Sequence, residues 1–391
     1  MGCSSAGRGD QPKVSIPGVR IVDHTYVVPQ PLELGRPGDL IAASDNGSDP
    51  LIDDAERWTL LYHSSNLAGR DIPVSGALFV PRGVPPAGGW PVISWGHGTT
   101  GIADRCAPSQ TPNLFYNEYA QEVRAFVHAG YAVAATDYPG LGTPGVHTYL
   151  IGVDEGNAMA DIVTAARHLD PRLSTTWFAV GHSQGGQAAL FATRAATRDP
   201  ALHLGGSVAI APASGLNLIL PAVLSGNDPA DLSYSMYALI GLSAADPSVV
   251  LSQLLGPAGQ ARLPLITERE CLTETDAAFK GVVPADILRI APNQLEALNA
   301  MLGADDNPDN APVNGPVLVI QGAADQDVPA AITGALVQHL RAQGSDVTEQ
   351  LYPDLDHDGV LGPSACDLLT WLSRHGGPPL GSCQPQPTDL S

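Results

Sequence analysis

The sequence predicts an α/β chain: a mostly parallel sheet with helices on both faces and a helical cap inserted between two of its strands. Three observations predict it. Short apolar runs alternate with stretches of helical periodicity along most of the chain. One sharp Gly-rich turn, at residues 181–186, joins such a run to an Ala-rich helix. Residues 214–314 then interrupt the alternation without a strand pattern.

Taken in order, residues 1–20 read as a polar tail. Trp58–His63 and Ile72–Val80 are β-like runs separated by turn residues. Pro91–Trp95 is a buried strand ending in Gly96-His97-Gly98. A helix is expected over Asn117–Ala129 and a strand over Tyr131–Tyr138, stopped by Pro139-Gly140. Val153–Leu169 is helical, with Met159, Ile162, Val163 and Ala166 on one side. Thr176–Gly181 is a strand, Gln184–Thr197 a helix, and Val208–Ile210 begins another strand. The interrupting stretch holds apolar helical pieces, Leu216–Leu224 and Tyr234–Leu242, broken by Pro and Gly. Alternation resumes with strand Val317–Ile320, helix Ala330–Ala342, strand Val347–Tyr352 and helix Cys366–Arg374. The expected organisation is a core of residues 21–213 and 315–378, a cap of 214–314, and a C-terminal tail of 379–391.

The 391 residues carry 44% hydrophobic side chains, enough for a large core. A net charge of -21 disfavours nucleic acid and anionic lipid surfaces as partners. No run of about eighteen apolar residues marks a membrane span. Five cysteines are present, none in a CxxC pair or at zinc-ligand spacing. Four of them allow two disulfides in three pairings, which would imply an oxidising compartment. The odd one, Cys3, sits in Met1-Gly2-Cys3-Ser4-Ser5 and resembles a bacterial lipoprotein's acylation site, so a lipid anchor at Cys3 is a further expectation.

Gly181-His182-Ser183-Gln184-Gly185 is a G-x-S-x-G elbow, the only match in a chain with 42 glycines. An apolar run precedes it and a helix follows, the context in which a strained turn points a serine hydroxyl into a pocket. Ser183 is therefore the candidate nucleophile. An acid should follow at a later strand end; Asp325 and Asp327 both qualify, and Asp325, three residues after Gly322, fits better. Among eleven histidines, His357 lies in the loop after the last strand and is the candidate base. His182, beside the serine, is expected to point away across the turn, and His97 to be structural. Two backbone donors would complete an oxyanion hole, Gln184 and Thr99, with Thr100 as the alternative. Asp354-x-Asp356-x-Asp358-Gly359 opens like a calcium loop, but its twelfth position is Ala365 where a glutamate is needed, so no metal is expected. The acidic stretch 304–309 is expected to be a solvated loop.

These motifs, with Cys106-Ala107-Pro108-Ser109 and Thr136-Asp137-Tyr138-Pro139-Gly140-Leu141-Gly142-Thr143-Pro144-Gly145, resemble the secretory lipase family of the α/β-hydrolase superfamily, fungal lipase A-like and actinobacterial. The resemblance covers roughly residues 25–380. It implies the α/β-hydrolase fold, a lidded helical cap, secretion or envelope anchoring, and a triad that falls on Ser183, Asp325 and His357. It also implies disulfides Cys106–Cys271 and Cys366–Cys383. The expected function is hydrolysis of small-molecule or lipid acyl esters through an acyl-enzyme, without a cofactor, by a monomer. Polyester depolymerisation and acyl transfer would use the same triad, and a serine peptidase is the remaining reading.

Overall fold

The computed structural model describes residues 21–22, 26–225, 229–381 and 383. Most of the N-terminal tail, with Cys3 and its expected lipid anchor, and most of the C-terminal tail lie outside them. Nine strands form one sheet: β1 (Leu40–Ser48), β2 (Ala55–Ser65), β3 (Asp71–Pro81), β4 (Trp90–Gly96), β5 (Ala132–Thr136), β6 (Leu173–His182), β7 (His203–Ile210), β8 (Val317–Gly322) and β9 (Val347–Tyr352). Their order is β1-β2-β3-β5-β4-β6-β7-β8-β9. The first three strands pair antiparallel, β3 meets β5 antiparallel, and every pairing from β5 through β9 is parallel.

The period of two divides the sheet's residues between two apolar layers. Trp177 and Ala179 of β6, with Val92 and Ala134, pack under α2 (Gly152–Leu169) and α3 (Gln184–Ala195). Phe178 and Val180 of the same strand, with Ile93 and Val133, pack under α1 (Asn117–His128) and α12 (Leu361–Arg374). The Ala-rich faces of α2 and α3 lie close together: a Cβ on Gly156 would run into the backbone of Phe191.

Between β7 and β8 the chain leaves the sheet. It forms α4 (Ile219–Ser225), α5 (Pro229–Ala245), α6 (Leu251–Leu254), α7 (Pro257–Glu268), α8 (Leu272–Phe279), α9 (Pro284–Ile287) and α10 (Pro292–Met301), then a π-helical turn over Leu302–Asp306. After β8 comes α11 (Ala330–Ala342). The inserted helices have their own apolar core, including Leu220, Met236, Leu239 and Ile240, which continues into Tyr149, Leu150 and Ile151 of the main body.

One strand was missed and one expectation needs correction. β1 received no strand assignment from the sequence, because its second half, Asp45–Ser48, is polar and exposed at the sheet edge. The stretch 304–309 is not simply solvated. Asp306 is buried; its carboxylate accepts from the Gly152 amide at 3.3 Å and its carbonyl from Gln187 Nε2 at 2.7 Å. This acidic residue fastens the returning insertion to the N-terminus of α2, where a negative charge is favoured.

Two disulfides are present. Cys366–Cys383 closes a short loop at the end of the chain. Cys106–Cys271 joins the main body to the N-cap of α8. Next to it, the Leu272 amide donates to the Thr100 carbonyl at 2.8 Å.

Candidate active site

The strand-to-helix turn between β6 and α3 holds Ser183 at φ 57° and ψ -118°. A non-glycine residue there is strained, and the surrounding bonds hold it in place. The Ser183 amide donates to Ile210 O at 2.9 Å, and its carbonyl accepts from the amides of Gly186, Gln187 and Ala213. Gly181 and Gly185 are required by close approach: a Cβ on Gly181 would meet the Gly185 carbonyl, and one on Gly185 the Gly96 carbonyl. Gln184 is the first residue of α3, so its amide is among the helix N–H groups with no intrahelical partner.

Asp325 lies past the end of β8 with its carboxylate surrounded by donors. His357 Nδ1 and Gln321 Nε2 each reach Oδ2 at 2.8 Å; the Val328 and Asp327 amides reach Oδ1 at 2.8 and 2.9 Å. Burial works to raise the Asp325 carboxyl, but the His357 bond and charge, the Val328 amide and Gln321 together hold it below the ordinary carboxylate value. His357 follows β9 and is buried. Burial works to lower its imidazole; the bond to Asp325 and the charges of Asp325, Asp327 and Asp358 outweigh that and raise it. Of the two acids the sequence left in competition, the histidine bonds Asp325, and Asp327 is exposed. Ser183 and His357 line the same cavity, and among the described residues no hydrogen bond joins them.

Two cavities meet at Ser183. One, of about 90 Å³, is lined by His357, His182, Tyr116, Tyr119, Glu118 and Asp358. The other, of about 230 Å³, is largely apolar, with walls from Leu216, Leu218, Ile219 and Val223 of the insertion and Val328 and Ile332 beyond β8. Thr99, Tyr234 and Asp327 line both. The Thr99 loop is pinned: its carbonyl accepts from Tyr116 OH at 2.9 Å, and its hydroxyl bonds Tyr149 OH at 2.7 Å.

A buried polar network surrounds the serine, and of its members Glu155 and His147 carried no signal in the sequence. Gln184 Nε2 donates to Glu155 Oε1 at 2.6 Å and meets His147 Nε2 at 3.1 Å. Burial pushes the Glu155 carboxyl well up and the His147 imidazole down to about 3. His97 is buried against Tyr138, with Nδ1 at 2.7 Å from Gly98 O. His182 does not point away from the site; its ring lies against His357, centroids 4.7 Å apart, and lines the smaller cavity. Tertiary contacts with Tyr119 and the last-strand loop direct it there. His182, His357 and Asp358 bring three potential metal-ligating atoms within 4.8 Å of one another. Both ring nitrogens of His182 are already committed to Tyr119 and the His357 carbonyl, so the group reads as a hydrogen-bonded network.

Comparison with known proteins gives a consistent picture. Residues 115–362 match the family model described as serine aminopeptidase, S33. Among solved structures, the closed state of Candida antarctica lipase A superposes with a TM-score of 0.73 at 18% identity, covering 90% of this chain and 85% of the other. The rice cell wall degrading esterase LipA from Xanthomonas oryzae gives 0.66 at 20% identity, covering 87% of this chain and 97% of that one. At these identities the likeness is one of fold. No match was found among curated protein sequences.

Proposed function

The chain belongs to the hydrolase family described as serine aminopeptidase, S33, with a lipase-like α/β-hydrolase fold, and from that premise we propose that it is a carboxylic ester hydrolase with Ser183 as nucleophile. The observation that carries this reading is the strained Ser183 at a shared cavity with the His357–Asp325 pair. His357 takes the Ser183 proton at Nε2 as Oγ attacks the acyl carbon. Asp325 holds the Nδ1–H tautomer and stabilises the imidazolium. The Gln184 and Thr99 amides receive the developing oxyanion, aided by the N-terminus of α3. His357 then returns the proton to the leaving alkoxide, and water, deprotonated by the same imidazole, releases the acid and restores Ser183.

Proton delivery orients the substrate. The leaving oxygen must lie near His357, so the alcohol occupies the polar cavity that His357 lines and the acyl chain the apolar one. About 230 Å³ is below the usual range for drug-sized ligands, which favours short or medium acyl chains. Two disulfides favour an oxidising compartment and hence export. Ser183→Ala should lower p-nitrophenyl butyrate turnover by about 10⁶-fold with the melting temperature retained; undiminished turnover overturns the reading. The family description favours peptide bonds as a second reading. Hydrolysis of aminoacyl p-nitroanilides in preference to the ester would establish it.

A further inference from the structure

One imidazole connects three parts of the site. The Gly98 amide donates to Tyr119 Oη at 2.9 Å. Tyr119 Oη lies 3.0 Å from His182 Nδ1, and His182 Nε2 lies 3.0 Å from the carbonyl oxygen of His357. The protons in this chain have one arrangement. A carbonyl only accepts, so His182 Nε2 carries the hydrogen. The Gly98 amide only donates, so Tyr119 Oη accepts there and its single proton goes to His182 Nδ1. Every bond then runs from the oxyanion loop toward the base. His182 is also the covalent neighbour of Ser183, so nucleophile, oxyanion loop and base loop all lean on one side chain.

We propose that His182 is a positioning residue, held as the neutral Nε2–H tautomer by Tyr119 and the His357 carbonyl, which fixes the spacing of the oxyanion loop and the base. The inference rests on the ester-hydrolase reading of the same site. A second proton on Nδ1 would face the Tyr119 hydroxyl proton, so the chain opposes protonation of this ring. That neutrality matters because His357 becomes an imidazolium during each turnover with its ring 4.7 Å away. Burial supports it, pushing the His182 imidazole down to about 3. Other charged groups around the ring act in the opposite sense: Asp358 Oδ1 lies 3.9 Å from Nε2, Asp325 stands behind His357, and Glu118 lines the same cavity.

The test compares three variants on p-nitrophenyl butyrate from pH 5 to 10 beside the wild-type protein. His182→Leu removes the chain and should lower kcat by about 10²-fold with little change in KM, the scale set by small misplacement of catalytic groups. His182→Gln keeps one donor and one acceptor and should recover most of that loss. Tyr119→Phe leaves Nδ1 without its proton donor and should add an ionisation to the acid limb of kcat/KM. Equal kcat in His182→Leu and wild type, or equal losses in His182→Gln and His182→Leu at unchanged melting temperature, overturns the proposal. Nitrogen NMR of the wild-type histidines supplies a readout independent of turnover. A His182 signal that stays the Nε2–H tautomer from pH 5 to 8 supports the proposal, and one that titrates there or carries its proton on Nδ1 overturns it. Loss of the ester-hydrolase reading would instead appear as full activity in Ser183→Ala.

Discussion

The sheet and the inserted helices solve the same burial problem differently. In the sheet, each strand sends alternate residues to opposite layers, so Trp177 and Phe178, neighbours in sequence, serve separate cores. The parallel strands are held by partners well separated in the chain. The insertion has no such frame. Its helices include pieces of only four residues, Leu251–Leu254 and Pro284–Ile287, and its stability rests on apolar side chains packing on one another. The proposed triad residues lie just past β6, β8 and β9, whereas much of the larger cavity's wall belongs to the insertion. On the proposed reading, chemistry sits on the sheet-framed, more rigid region and substrate shape on the insertion.

The largest expected effect falls on the rigid side. Asp325→Asn should keep the fold and cost about 10⁴-fold in kcat, through loss of the correct His357 tautomer; a burst titration with an active-site reporter checks that the serine remains accessible. A loss of under tenfold would mean that the strand ends do not hold the reaction. Next come two truncations of similar size. Phe178→Ala should cost about 3–5 kcal/mol in urea unfolding and lower sheet stability and activity together. Leu239→Ala, in α5, should cost about 2–5 kcal/mol, with esterase activity fading at lower urea than the far-UV signal. Coincident curves for Leu239→Ala would show that insertion and sheet are one cooperative unit.

The two disulfides sharpen the contrast at about 2–5 kcal/mol each. Replacing Cys106 and Cys271 by serine should lower both the urea midpoint and kcat, because this bridge adjoins the Thr100–Leu272 contact beside the oxyanion loop. Replacing Cys366 and Cys383 should lower the midpoint alone. The smallest effect is in pH. His357 is raised above the ordinary histidine value of 6.5, and turnover needs it neutral, so the acid limb of kcat/KM should lie above that value. For stability the signs differ. The contribution of His357 is present below its unfolded pKa and lost as pH rises through the raised folded one. That of Asp325, held low, is lost as pH falls through its depressed value. Best activity should therefore lie on the alkaline side of best stability, and an acid limb below the ordinary histidine value would contradict the His357–Asp325 coupling.

The sheet was legible because its strands are punctuated. Gly96, Pro139 and Gly322 close their runs, and strand β9 and helix α11 keep the bounds that periodicity indicates. Ser183, Asp325 and His357 were nominated because each stands at such a boundary; His357 bonds Asp325 and shares a cavity with Ser183. β1 was not legible, since an edge strand with polar Asp45–Ser48 lacks the alternation that marks burial. The short helices of the insertion were not, because segments of four to eight residues carry too little periodicity to assign. Asp306 was misread for a different reason: acidic composition describes a preference for water, and the Gly152 and Gln187 contacts that override it come from residues more than a hundred positions away. His182 was misread as pointing away and Glu155 was not singled out for the same reason, their surroundings being set by Tyr119, His357 and Gln184 across the fold.

The bridge from Cys106 to Cys271 also ties together positions that the chain keeps 165 residues apart. Neither cysteine lies in a strand, so reduction breaks no sheet pairing directly, while α8 loses its covalent tie to the main body. The loss of kcat expected for the serine variants is therefore expected for the reduced wild-type chain as well, and turnover followed before and after a reductant reads it.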